Sequence, residues 1–368
     1  MIVQPFLTIG IPTWNRCVYL TKNIEALIAQ IQQSDIESMV EILVSDNAST
    51  DETKAYLTSL TAQHSYVTYH RSDTNKGANA NFQFVVEAAK GKYVWLLGDD
   101  DLLVDDVIKK VMCDLQINMP DVAVGAAIFD ESQEKATHKA YHERVVGNRD
   151  LLAHDDVIAL AGKMSGLILK KDSVMPMIAE AAPIISATQT PWPHLAWFLL
   201  LLNDPTKSLM VLPYGINQLV AANWYNLLFS GKILLQILFI DYQALLLALK
   251  SSLEPEFYAM LIARSVSTRQ SSLLKCILYA TYLDEYGAFL RFACSSWKGV
   301  VGKINKINYT IFLILPALVP RAFRKFVYQL AMKRWKKLHV TITRLERAHD
   351  IATNKEEVGG RQFDAKQL

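Results

Sequence analysis

The chain has 368 residues, 51% hydrophobic and 20% charged, which is enough apolar material for one large domain or two ordinary ones and excludes an intrinsically disordered protein. Its four cysteines, Cys17, Cys113, Cys276 and Cys294, have neither CxxC nor metal-ligand spacing, so no disulfide framework or zinc site is expected and a reducing cytosol fits. The net charge of +2 conceals an asymmetry: residues 1–297 carry 23 basic and 31 acidic side chains, net −8, whereas residues 298–347 carry 12 basic and one acidic, Glu346, net +11.

The start, MIVQPFLTIGIP, lacks the basic region and small-residue cleavage site of a secretory signal and reads as a first strand, FLTIGI at 6–11. Further apolar runs at 40–45, 66–70, 92–97 and 122–128 predict strands. Helical patterns near 17–33, 51–63, 78–89 and 104–116 alternate with them. This order predicts an α/β doubly wound, mostly parallel sheet whose ligands bind at the carboxyl ends of its strands. Residues 131–160 are polar and poorly patterned. GLILKK at 166–171 and a run near 208–213 read as two more strands, and the rest predicts a helical C-terminal region.

Polar residues recur at the same end of each early strand. The first runs into Pro12, Thr13, Asn15 and Arg16, the second into Asp46, the turn after the third into Asn75 and Gly77, and the fourth into Asp99, Asp100 and Asp101. In SDNASTDET, Ser49-x-x-Glu52 fits a capping box that starts a helix, which leaves Asp46 either for a turn or for a base or ribose. Gly77 suits a tight helix entry, while Asn79 and Asn81 are poor helix formers. The three aspartates follow a fully apolar strand and repel one another. Either water solvates them ahead of a helix started by Asp105 and Asp106, or a hard divalent cation, Mg2+ or Mn2+, binds them together with substrate phosphates.

PTWNR, VSDNASTDET, NKGANAN and LLGDDD, in this order, resemble the donor half of family 2 glycosyltransferases of the GT-A fold, and LLGDDD with the hydrophobic helical C-terminus resembles the bacterial surface-polysaccharide type, abequosyltransferase-like enzymes included. The resemblance covers about residues 5–130 well and 160–200 loosely. It implies that Pro12, Thr13, Asn15, Arg16 and Asp46 lie around the nucleotide, with Asn75, Gly77 and Asn81 along base and ribose. It also implies a DXD-type site in which Asp99 faces ribose and Asp100 binds metal, or Asp99 and Asp101 bind it together.

Many relatives place an acidic base at the start of an acceptor-side helix, where this chain reads TPWPHLAWF. His194 is the candidate base: at a helix start its pKa is lowered, and neutral imidazole accepts a proton. Asp130, Asp155 and Asp156 are the other candidates. Trp192 is a candidate sugar platform, and Trp197 is expected in the core. Lys163 and Ser165 are within reach of an acceptor phosphate or are plain loop residues.

Two apolar stretches fail as membrane spans: 233–249 carries Gln236, Asp241 and Gln243, and 309–320 is short and holds two prolines. Residues 321–347 place an apolar stripe opposite lysines, which suits an amphipathic helix on an anionic membrane surface and disfavours nucleic acid. The expected organisation is a GT-A domain over 1–215, with a nucleotide-sugar half to about 130, a membrane-associating helical region over 216–347 and a polar tail over 348–368. The function expected is transfer of a sugar from a nucleoside diphosphate sugar to a polyprenyl-diphosphate-linked saccharide in O-antigen or related synthesis. It would be metal-dependent and inverting, and peripheral on the cytoplasmic face of the bacterial inner membrane. The alternatives are a nucleotidyltransferase and a non-catalytic membrane scaffold.

Overall fold

The computed structural model describes residues 4–128, 145–153, 157–218 and 241–262. Asp130, Asp155, Asp156 and the whole basic segment 298–347 lie outside the described residues, as do residues 233–240 of the apolar stretch 233–249.

The first half is built of β1 (Leu7–Thr13), α1 (Cys17–Gln33), β2 (Val40–Asp46), α2 (Thr53–Gln63), β3 (Val67–Arg71), α3 (Ala78–Ala88) and β4 (Tyr93–Leu96). All seven residues of β1 and of β2 are buried, as a sheet covered on both faces requires. Leu20, Ile24, Leu27 and Ile31 bury one stripe of α1 against that sheet at helical spacing. On the other face α3 approaches β1 closely. A Cβ on Gly10 would stand 2.2 Å from the Val85 side chain, so only glycine admits the helix there.

The second half adds β5 (Leu102–Leu103), α4 (Val107–Asn118), β6 (Val122–Ile128), β7 (Val145–Gly147), α5 (Val157–Ala161), β8 (Leu167–Lys170), α6 (Lys171–Thr188), α7 (Pro193–Leu201) and β9 (Leu209–Gln218). Short 3-10 turns occupy Arg149–Ala153 and Met164–Gly166. The sheet order is β3-β2-β1-β4-β8-β6-β9-β5, with β7 paired to β9. Every residue of α7 is buried, Trp197 among them, which accounts for a helix apolar on all sides. Tyr242–Leu249 forms a further helix, α8, whose residues up to Ala248 belong to a second compact unit.

β1 to β4 are mutually parallel, so the crossover pattern was legible. Three expectations change. β8 lies antiparallel between β4 and β6, because apolar runs specify a strand and not its direction. Residues 102–103 pair with β9, so α4 begins at Val107, with Asp106 at its N-cap making no side-chain cap bond. Part of 131–160 is ordered as β7, a 3-10 turn and α5.

Candidate functional site

Parallel pairing puts the carboxyl ends of β1, β2 and β4 on one edge: Thr13 pairs with Asp46, and Gly10 with Leu96. Thr13, Asn15, Arg16, Asp46 and Asp99–Asp101 therefore meet there, as the recurrence of polar strand ends predicted.

The β1–α1 junction is tied to the loop after β2. Asn15 adopts φ 54°, its N–H donates to Ser49 Oγ (2.8 Å), and its Oδ1 accepts from Thr50 N–H (2.6 Å). Cys17 N–H donates to Asp51 Oδ2 (2.9 Å). The capping box is not formed. Ser49 serves Asn15, while Asp51 accepts from the Thr53 N–H and hydroxyl, so the helix starts three residues later than Ser49-x-x-Glu52 implies.

Asp46 is fully buried. Its Oδ1 accepts from Ser49 N–H (2.7 Å), and its Oδ2 receives Tyr69 OH (3.2 Å) and the Arg71 guanidinium. It holds the loop's shape, with no surface of its own facing the edge. Asn47, which sequence reasoning passed over, bonds both Asn75 Oδ1 (2.8 Å) and Lys76 N–H (2.8 Å), fixing the turn that enters α3. Gly77 stands at the α3 N-cap with φ 85°, as its place in the sequence predicted. Asn81 accepts from the Ser45 hydroxyl (2.5 Å) and donates to Ser45 O (3.0 Å), and Asn79 donates to Thr190 O (2.9 Å). These bonds explain why two weak helix formers sit there. Pro12 is buried within β1, paired with Ser45. Asn75 is exposed at the mouth of this turn.

The acid loop separates its three carboxylates. Asp99 accepts from the Thr13 hydroxyl (2.7 Å) and pairs with Arg16 Nε (3.2 Å). Asp100 pairs with Arg16 Nη2 (2.5 Å) and is the most exposed of the three carboxylates. Asp101 turns the other way and accepts from the Ser165 hydroxyl, whose oxygen in turn accepts from Gly98 N–H (3.0 Å). Behind the loop, Asn23 donates from one Nδ2 to Gly98 O (2.8 Å) and Asp101 O (2.7 Å). Sequence reasoning missed Asn23, yet an amide at helical spacing among the apolar residues of α1 is a legible signal.

Burial raises Asp99 to about 7, opposed by Arg16 and the Thr13 hydroxyl and reinforced by its acidic neighbours. Burial likewise raises Asp101 to about 6, opposed by Ser165 and by the Lys163 ammonium. Burial lowers Lys163 to about 8, with Asp101 pulling it back. For Arg16, burial works downward, but Asp99 and Asp100 hold its pKa above the ordinary value.

His194 lies on the first turn of α7, after Pro193 and the N-cap Trp192. Its ring is enclosed at 3% exposure; one nitrogen, Nε2, faces Gly162 O (3.2 Å), and Nδ1 is buried without a partner. Burial lowers its pKa to about 4, opposed by the bond to Gly162 O. Trp192 is half-buried at the N-cap.

Among the described residues no group of three or more His, Cys, Asp or Glu side chains converges as a metal site, the three aspartates included. The donors are nevertheless hard oxygens on crowded carboxylates. That set fits Mg2+ or Mn2+ held by one or two carboxylates with substrate phosphates completing the shell.

Residues 8–171 match the family model described as glycosyl transferase family 2, which bears out the resemblance in the sequence. The chain is 37% identical over 98 residues to abequosyltransferase RfbV of Salmonella typhimurium, covering 26% of this chain and 28% of that protein. It is 34% identical over 110 residues to the GalNAc(5)-diNAcBac-PP-undecaprenol beta-1,3-glucosyltransferase of Campylobacter jejuni, covering 30% and 34%. The chain thus spans about a third of the length of these relatives. In fold it is similar to S. aureus TarS 1–349 in complex with UDP-GlcNAc (TM-score 0.51, 11% identity, 80% and 82% covered). It is also similar to the mannosyltransferase PcManGT of Pyrobaculum calidifontis in complex with GDP-Man and Mn2+ (TM-score 0.53, 12% identity, 98% and 88% covered). The fold is of the GT-A type.

Proposed function

We propose that this chain, whose residues 8–171 carry a family 2 glycosyltransferase domain, transfers a sugar from a nucleoside diphosphate sugar to a lipid-linked saccharide in surface polysaccharide assembly. The observation that carries the reading is the gathering of Thr13, Arg16 and the Asp99–Asp101 loop at one edge of parallel strands, where doubly wound sheets bind nucleotides. A relative named for an undecaprenol-linked acceptor and another named an abequosyltransferase support the acceptor class and the surface-polysaccharide setting.

In this reading Thr13 and Asp99 face the ribose, and the loops fixed by Asp46, Asn47, Asn75, Gly77 and Asn81 shape the base pocket. Asp100, the most exposed of the three carboxylates, would hold Mn2+ or Mg2+, which when bound supplies positive charge to the departing diphosphate. Arg16 and Lys163 add cationic charge on either side of the loop. The acceptor hydroxyl would attack the anomeric carbon as the bond to the diphosphate breaks, its proton passing to a general base for which Asp130, Asp155 and Asp156 are the candidates besides His194, with the configuration inverted in one displacement. His194 is enclosed, so its geometry supports a positioning role, with Nε2–H holding Gly162 O behind the turn that carries Ser165. The basic segment 298–347 would attach the protein to an anionic cytoplasmic leaflet. Among the described residues no helix is long and apolar enough to cross a membrane.

The test is a screen of nucleotide sugars with full-length protein and Mn2+, following donor hydrolysis and transfer to polyprenyl-diphosphate saccharides. Release of nucleoside diphosphate from one donor, abolished by chelation, supports the reading. Release of pyrophosphate from a nucleoside triphosphate and a sugar phosphate would replace it by nucleotidyl transfer.

A further inference from the structure

We infer that Arg16 is a built-in counterion of the acid loop that competes with the divalent ion for Asp100 and is handed to the donor diphosphate when that ion binds. The inference deepens the proposed function and rests on it for the identity of the donor.

One guanidinium bridges both carboxylates, Nε to Asp99 at 3.2 Å and Nη2 to Asp100 at 2.5 Å. A planar fork of this kind matches a carboxylate pair and a diphosphate equally well. The backbone on either side is pinned, by Asn15 on Ser49 and Thr50 and by Cys17 on Asp51, so exchange of partners falls to the side chain alone. That side chain is 35% exposed, whereas Asp99 is 7% exposed, so the cation is the group at the solvent side of the pair. Its guanidinium also lies 5.1 Å from the centroid of the exposed Tyr19 ring, whose face attracts a cation.

The consequence has two opposite signs. With Arg16 in place the loop is already neutralised in part, so a bare divalent ion must displace it. Once the ion sits on Asp100, the freed guanidinium lies beside any diphosphate the ion carries. A role limited to holding the loop would instead make loss of Arg16 harmful to both.

The experiment measures Mn2+ binding by electron paramagnetic resonance without nucleotide, and then binding of UDP, GDP, CDP and dTDP with saturating Mn2+, in wild type, Arg16→Met and Arg16→Lys. Arg16→Met should bind Mn2+ alone about 3- to 10-fold more tightly and the best-bound nucleoside diphosphate about 10-fold more weakly. Arg16→Lys should fall between on both readouts, and thermal unfolding checks that each variant folds. Weaker or unchanged Mn2+ binding in Arg16→Met, or none in any variant, overturns the inference. If the Mn2+ arm behaves as expected and no nucleoside diphosphate binds wild type, the handover to diphosphate and the glycosyltransferase reading fail while the competition stands.

Discussion

Ser165 and Asp101, 64 residues apart in sequence, share a hydrogen bond whose donor hydroxyl also receives the Gly98 amide. One buried side chain thus closes both ends of the acid loop, and the short turn before β8 becomes part of the site.

Ser165→Ala should therefore cost about 1–3 kcal/mol of folding stability in denaturant titrations, since it strands a buried carboxylate and a buried amide. It should also push Asp101 further above its ordinary range. Stability equal to wild type would show that Ser165 does not hold the loop.

Asn23→Ala should have a comparable effect, about 1–3 kcal/mol, by freeing the Gly98 and Asp101 carbonyls. Metal-dependent nucleotide binding should weaken with it, because the carboxylates lose their fixed aim. Hydrogen exchange at residues 98–104 is the direct readout, and unchanged protection would count against the assignment.

Asp100→Asn should leave stability within about 1 kcal/mol, its ion pair being partly exposed, yet weaken Mn2+-dependent donor binding and abolish transfer. Turnover like that of wild type would remove Asp100 from the metal site.

Asp46→Asn should lower stability by about 1–3 kcal/mol and weaken binding of free nucleoside diphosphate, because Arg71, Tyr69 and Ser49 N–H all depend on the carboxylate. Unchanged nucleotide affinity with lowered stability would confine Asp46 to the turn.

His194 gives a pH prediction. Its folded-state pKa of about 4 lies below the ordinary 6.5, so the fold favours the neutral ring. The stability this contributes is full above pH 6.5 and is lost as pH falls through about 4. Melting temperatures should fall across that window, and His194→Gln should flatten the fall. A variant as steep as wild type would place the titration elsewhere, and a loss of turnover far exceeding the loss of stability would restore His194 as the base.

The sequence by itself determined the donor half. Apolar runs of strand length alternating with helical stripes leave one parallel architecture, and that architecture carries the ends of β1, β2 and β4 to one edge, so Thr13, Arg16, Asp46 and Asp99–Asp101 could be grouped from spacing alone. Gly77 was legible for the same local reason, a helix entry that needs positive φ. What each polar group bonds was decided only by tertiary structure. Periodicity does not encode strand direction, so the antiparallel β8 that carries Ser165 to the acid loop could not be foreseen. Nor does spacing reveal partners: three adjacent aspartates look like one charge cluster, and the fold divides them between Arg16 on one side and Ser165 on the other. Burial made the same decision for His194, read in sequence as a base, and for Asp46, read as a nucleotide ligand or a turn residue: both stand enclosed in structure, because their hydrogen-bond partners elsewhere in the chain arrive only when the sheet has formed.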